Sequence, residues 1–410
     1  MDSILIVGII IFCGFIFGEV AKKAKLPKVT GYILAGVFLN PGLFHIIPEN
    51  FVTHTEVVTN ISLSVITFSV GGTLLFSKIK KLGKSILCIT VFEGEFAFFA
   101  IIIGFLLISP YFVHIPNAGW FTVFIPMAIL LGSLGAPTDP SATLAVKEEY
   151  NASGRVTQTV MSVAAFDDVL GIINYSIAIA LAQVFISHQG LNTYNSFIQP
   201  LMVISGAMVL GVFLGFLLNF VTNFISKETE GVYVVIILGL LCICYGVATL
   251  IQVNQLLAVM VMGAVVVNYN KKQHLIFKVL ERYTDELIFV LFFTLSGMYL
   301  DFTVLRTALV LVLFFIIFRT IGKVFGTTLG AIISKAPENV KKYTSGGLIP
   351  QGGIVVGLAL IMKQNPAFDA FSDIIISVVI GATIFHEIIG PITTKISLSR
   401  AGEIPIRGKI

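Results

Sequence analysis

The residues able to do chemistry in this sequence are few, and they lie where charge is expensive. Pro137-Thr138-Asp139-Pro140 interrupts one hydrophobic run, and the pair Asp167-Asp168 sits inside the next. Carboxylates in apolar stretches are costly to bury in lipid, and they mark an ion pathway, a proton relay or a paired structural charge. Asp167 and Asp168 are adjacent, so on a helix their side chains diverge by about 100° and can take different partners. Buried together without a cation they would repel, and one would keep its proton. Lys323, inside a later apolar run, is the obvious counter-charge for one of them. Arg319 stands four residues before it, on the same helix face. Glu93 and Glu95 are equal candidates as the partner of Arg319. Thr138 offers a hydroxyl and a carbonyl at the interruption, oxygen ligands suited to a hard monovalent cation. Asp139 fits two compatible roles: ion chemistry, and capping of the half-helix that follows, with Ser141 or Thr143 assisting. A purely structural set of ion pairs is the plainer reading, and it weighs more for Arg319 than for Asp168.

Elements that could position these residues must cross a membrane. The chain of 410 residues is 56% hydrophobic and only 12% charged, about half the charged share of a soluble domain. Apolar runs near ~20 residues, long enough to cross a bilayer, recur along its length. Thirteen spans can be placed, at about 3–21, 29–44, 57–76, 85–108, 120–146, 156–186, 197–224, 232–251, 256–269, 285–300, 305–333, 343–362 and 372–396. The first reads as a retained span: Asp2 stands where a signal peptide carries positive charge, and no small-residue cleavage site follows. Connections are short, which leaves no soluble regulatory domain. Cys13, Cys88, Cys242 and Cys244 all fall in apolar runs and read as small apolar filler.

Most of the 26 lysines and arginines cluster after the odd-numbered spans and in the tail, while only Arg306 and Lys363 lie in loops on the other side. Positive charge stays inside, which puts the N-terminus outside and the C-terminus in the cytoplasm. The net charge of +4 is therefore a topology signal, and nothing else suggests nucleic acid as a partner. No Gly-rich run ends in Gly-Lys-Ser/Thr, so no phosphate-binding loop is visible. The driving force must then be an ion gradient, with no enzyme chemistry and no cofactor.

A second interruption mirrors the first. The twelfth span is broken at Gly346-Gly347-Leu348-Ile349-Pro350-Gln351-Gly352-Gly353. Proline and clustered glycine do not sustain helical hydrogen bonding, and freed backbone groups survive in a membrane only against protein or a watery cavity. The two broken spans are an odd number apart and run in opposite directions. Interrupted segments in inverted halves point to a transport site near the midplane. Gln351 joins the secondary candidates with Arg319 and Glu95. His386 and Glu387 precede Gly390-Pro391 in the last span, and the histidine reads as a hydrogen-bonded packing residue.

An ordered set of motifs runs through the whole chain: PKVTGYILAGVFLNPG, TDP in a broken span, FDDVLG, RTIGK, GGLIPQGG and EIIGPITTKISLSRAGEIP. The set resembles the second monovalent cation:proton antiporter family, and most of all its bacterial NapA-type sodium/proton antiporters. The resemblance implies an all-α homodimer of thirteen-helix subunits in the bacterial cytoplasmic membrane, with inverted repeats and two crossed discontinuous helices. It implies core ion-translocation helices at about 85–186 and 305–396, which move against dimerisation helices at about 3–76 and 197–300. It also implies that Asp168 binds cation and proton alternately, that Asp167 pairs with Lys323, and that Thr138 and Asp139 line the crossed breaks. Asp168 and Thr138 would be the cation ligands. A double acid is the pattern of electrogenic members. The activity implied is exchange of sodium for protons by alternating access, with lithium or potassium as alternative cations. A potassium/proton antiporter, a sodium-coupled solute symporter and a channel on a related frame are the alternatives. A symporter would present a larger cavity without an acid pair, and a channel would present rings of ligands along a pore.

Overall fold

The fold is that of a computed structural model, which describes residues 3–24, 28–44, 47–48, 51, 55–77, 83–113, 115–116, 118–139, 143, 146–147, 150–186, 199–224, 230–300, 302–351 and 354–405. Every regular element among these residues is helical. The helices in chain order are α1 (Ser3–Lys23), α2 (Lys28–Leu39), α3 (Glu56–Gly72), α4 (Lys84–Phe112), α5 (Ile125–Ser133), α6 (Arg155–Ile186), α7 (Gln199–Phe224) and α8 (Glu230–Leu250). They continue as α9 (Gln255–Tyr269), α10 (Gln273–Tyr283), α11 (Asp285–Met298), α12 (Phe302–Ile333), α13 (Glu338–Tyr343), α14 (Ile354–Lys363) and α15 (Ser372–Arg400). By length and composition, seven of these helices can cross a membrane, and six shorter apolar helical segments accompany them. Their outward faces carry Phe12, Phe99, Phe213 and Ile321, all exposed, as expected of helices whose solvent is lipid.

The charged stretch after α9 is not an irregular loop as its composition suggests. It folds into α10, which buries Ile276, Val279 and Leu280 and turns Lys278 and Arg282 outward. Apolar residues three and four apart are enough to seat such a helix.

Packing sorts the helices into two groups. α4, α5, α6, α12, α14 and α15 pack chiefly on one another, and α1, α2, α3, α9 and α11 do likewise with α7 and α8 alongside. The tightest seam joins α4 to α12, and glycine decides it. Gly322, Gly326 and Gly330 recur every four residues along α12. A Cβ on Gly326 would lie 2.3 Å from the Phe92 carbonyl oxygen, and one on Gly322 would lie 2.6 Å from Ala97 Cα. Small residues at that spacing let two membrane helices touch backbone to backbone. The same stripe carries Arg319 and Lys323 into the interior beside Glu93.

Two helices stop inside the protein. α5 ends at Ser133, and 134–139 continue without helical structure. α13 passes into a 3₁₀ turn, Thr344–Gly347, and 348–351 carry no helical structure. Pro137 and Pro350 cannot donate backbone hydrogen bonds, which accounts for both interruptions. Pro140, Ser141, Gly352 and Gly353, the remaining residues of the expected breaks and caps, lie outside the described residues.

Candidate functional site

The two interruptions meet. The Asp139 backbone N–H donates to the Pro350 carbonyl at 3.2 Å, and the Thr143 hydroxyl donates to the Gly347 carbonyl at 3.2 Å. Each break is seated by a glycine on a neighbouring helix. A Cβ on Gly171 of α6 would lie 2.4 Å from Pro137 Cγ, and a Cβ on Gly390 of α15 would lie 2.7 Å from Pro350 Cγ.

Carbonyls freed by the breaks need donors, because an unpaired buried carbonyl costs about 1–3 kcal/mol. Arg319 supplies them. Its Nε donates to Gly135 O at 3.0 Å, Nη1 to Ile349 O at 2.5 Å, and Nη2 to Pro137 O at 2.7 Å and Pro350 O at 3.4 Å. The fixed fork of a guanidinium suits several acceptors at once. This differs from the sequence expectation: neither Glu93 nor Glu95 pairs with Arg319. Glu95 is half-buried and accepts a hydrogen bond from Asn174 at 3.1 Å, one helix away. Gln351 has a similar bridging task. Its Nε2 donates to Leu134 O at 2.9 Å, and its Oε1 lies 3.0 Å from His386 Nδ1.

Lys323, fully buried, gathers the rest. Its ammonium donates to Ala136 O at 2.6 Å and to the Thr138 hydroxyl at 2.7 Å. Glu93 Oε2 lies 2.9 Å away and Asp167 Oδ2 3.5 Å away. The Glu93 contact is an ion pair off the donor direction, since that oxygen accepts no hydrogen bond among the described residues. The Thr138 hydroxyl donates to Asp167 Oδ2. Asp167 thus lies beside Lys323, but Glu93 shares the lysine and stands closer. The sequence offered Glu93 only as one of two candidates for Arg319, four residues from Lys323 along α12. Thr138 also departs from expectation: its hydroxyl is committed to Asp167 and Lys323, and no contact joins it to Asp168.

Asp168 is different from every group around it. It is half-buried, and it makes no hydrogen bond or ion pair with any described residue. Two turns further along α6, Tyr175 and Ser176 border a cavity of about 720 Å³, also lined by Glu56, Asn60, Gln183 and Gln364. The cavity lies between α3, α6, α8 and α14, across the boundary of the two helix groups. Asp168 itself does not line that cavity; a partly accessible carboxyl without a committed partner, backed by a lysine already held by other acids, can exchange its proton for a cation. Among the described residues no three His, Cys, Asp or Glu side chains converge as a tight metal cage.

A family model described as sodium/hydrogen exchanger, transmembrane, matches residues 7–400. The chain belongs to that family. Its curated relatives are antiporters, not enzymes. They include a Na(+)/H(+) antiporter of Enterococcus hirae, 22% identical over 97% of this chain and 99% of the relative. Another is Na(+)/H(+) antiporter 1 of Methanocaldococcus jannaschii, 24% identical over 52% of this chain and 46% of the relative. The chain thus spans about half the length of that second protein. Cation/H(+) antiporter 19 of Arabidopsis thaliana is 26% identical over 84% of this chain and 43% of the plant protein. Among solved structures, the sodium proton antiporter MjNhaP1 of Methanocaldococcus jannaschii at pH 8 superposes with a TM-score of 0.76, at 20% identity, over 97% of this chain and 98% of that one. That likeness places this family member in the same all-helical membrane fold.

Proposed function

We propose that this protein exchanges sodium for protons across a bacterial cytoplasmic membrane by alternating access, with Asp168 as the carboxyl that takes either ion. One observation carries the reading: Asp168 is partly accessible and without a partner among the described residues, while Asp167, Glu93 and Lys323 are sealed and mutually engaged and Arg319 is sealed against the break carbonyls. Asp167 and Thr138 position Lys323 behind it, and Asp139 holds the crossing through its backbone. A sodium ion arriving through the cavity displaces a proton from Asp168, and a proton from the opposite side later displaces sodium. Carrying the emptied, charged site through an apolar barrier is too costly, which couples the two fluxes.

The thirteen-span topology with the N-terminus outside rests on the lysine and arginine bias. The inverted-repeat reading is supported by the matched seats, Gly171 under Pro137 and Gly390 under Pro350. The two packing groups support a moving core, α4–α6 with α12–α15, and a dimerising scaffold built from the rest. Exchange is electrogenic if Asp167 and Lys323 contribute a second proton to the cycle.

Proteoliposomes with a trapped pH dye test the proposal. Added sodium should drive proton movement in the wild-type protein, and Asp168→Asn should abolish it while the protein still elutes as a folded dimer. Full exchange by Asp168→Asn would remove Asp168 from the site.

A further inference from the structure

On α6, Asp168 has Ala165 one turn before it and Tyr175 two turns after it. At Ala165 the two helix groups touch: Thr73, at the C-terminal end of α3, donates its hydroxyl to the Ala165 carbonyl at 3.3 Å. They touch again where the Thr30 hydroxyl of α2 donates to Glu387 Oε2 of α15 at 3.2 Å. At Tyr175 the groups part instead, and the cavity of about 720 Å³ begins. The rest of its α6 lining, from Ser176 to Gln183, runs on toward the end of the helix. Tyr175 is therefore the lining residue of α6 nearest Asp168.

Seven residues turn a helix through about 700°, so Tyr175 projects within about 20° of Asp168, with its Cα about 10 Å further along the axis. Helical side chains lean toward the N-terminus, which tilts the phenol back over that gap. Ile172, fully buried on the same face, makes the gap apolar. Tyr175 is 2% exposed, and its hydroxyl has no hydrogen-bond partner among the described residues. Of the buried hydroxyls in that condition, it is the one whose residue lines the cavity. It is also the one its own helix cannot serve. A serine or threonine can turn to the carbonyl four residues back, whereas a phenol oxygen lies well beyond its own turn. Such an oxygen keeps its lone pairs for whatever passes. The cavity wall is of the same kind: Asn60, Gln183, Gln252 and Gln255 bring amide oxygens, Glu56 brings a carboxylate, and among the described residues no lysine or arginine lines it. Oxygens without a competing cation suit a hard monovalent cation that sheds part of its water.

We infer that the end of the cavity at Tyr175 is a relay site for a partly dehydrated monovalent cation, where the Tyr175 hydroxyl oxygen replaces a water ligand as the ion passes between the cavity and Asp168. The inference rests on the exchange reading above and adds the residue that controls access to its carboxyl. Tyr175 sets how readily the ion reaches Asp168, and leaves how tightly Asp168 holds it unchanged.

Tyr175→Phe removes the oxygen and keeps the ring. Sodium-driven proton movement in proteoliposomes and sodium binding to the detergent-solubilised protein by calorimetry, both at one pH, are compared with the wild type. The variant should raise the KM for sodium about fivefold, the change that one lost oxygen contact gives. Its Kd for sodium should equal that of the wild type. Its melting temperature should be no lower, because the hydroxyl has no partner to lose. A KM equal to that of an exchanging wild-type protein would overturn the inference and leave the transport function standing. A Kd that rises with the KM would make Tyr175 part of the Asp168 site instead. Exchange slowed at every sodium concentration with an unchanged KM would assign the hydroxyl to the proton, and a lowered melting temperature would give it a structural partner; each of these also overturns the relay. A wild-type protein without sodium-driven exchange would sink the transport function and the relay together.

Discussion

Lys323 is held by groups from three parts of the chain: Glu93 on α4, Asp167 on α6, and Ala136 with Thr138 in the first break. Removing one acid therefore does not strand it. Asp167→Asn should leave the Lys323 nitrogen in contact with Glu93, fold normally, and lose about 1–2 kcal/mol from a weakened network. Asp168→Asn breaks no contact with a described residue, so its melting temperature in detergent should stay near that of the wild type while exchange is lost. A melting temperature lowered as much as by Asp167→Asn would mean that Asp168 has a structural partner. Arg319 is the opposite case. Arg319→Lys keeps the charge but cannot reach four carbonyls, and buried acceptors left unpaired cost about 1–3 kcal/mol each. Thermal unfolding should show a loss above about 3 kcal/mol, and a variant as stable as the wild type would refute the clasp.

At the scale of helices, close approach and capping set what can be changed. Gly326→Ala puts a methyl 2.3 Å from the Phe92 carbonyl oxygen, so α4 and α12 must separate. Overpacking of this kind costs about 1–3 kcal/mol. Gly239→Ala on α8 meets nothing within 4 Å and should be neutral or slightly stabilising. Equal melting temperatures for the two variants would show that the α4–α12 seam yields easily. α6, which carries both central aspartates, begins against the tail that follows α15. Glu403 accepts from the Val156 and Thr157 backbone N–H groups at 2.7 and 2.8 Å and from the Thr157 hydroxyl at 2.8 Å. A carboxylate at a helix N-terminus satisfies orphan donors and the helix dipole. Glu403→Ala should cost about 1 kcal/mol, read as a lower melting temperature, whereas Glu403→Gln should recover part of it.

The whole molecule poses the question of charge movement. If two protons exchange for one sodium ion, each cycle moves a net charge, and the membrane potential contributes about 2.3 kcal/mol per charge per 100 mV. Sodium jumps on a solid-supported membrane should give a transient current in the wild-type protein and a smaller one in Asp167→Asn. Full-rate exchange with no current would establish one-for-one stoichiometry. If sodium and protons compete for Asp168 as proposed, the sign of the pH effect follows: as pH falls, protons occupy the carboxyl more often, and the apparent sodium affinity should weaken. An affinity unchanged from alkaline to mildly acidic pH would place the two ions on separate groups.

Much of this was legible in the sequence because the signals are local. Runs of apolar residues mark helices, Pro137 and Pro350 mark where helices must stop, and a carboxyl inside an apolar run stands out without a structure. The clustering of positive charge also needs no coordinates. Partner choice was different. Lys323 and Glu93 lie 230 positions apart, and Thr30 and Glu387 are separated by 357. A sequence cannot rank such pairs, because which side chains meet depends on how closely helices approach and which faces they turn inward. The glycine stripe of α12 decides that Lys323 reaches Glu93. The crossing of the two breaks decides that Arg319 serves carbonyls, which carry no signature in a side-chain alphabet. Residue types and spacing determined that this chain holds charge inside a membrane; tertiary packing decided which charges are neutralised and left Asp168 open, since burial and pairing are properties of neighbours.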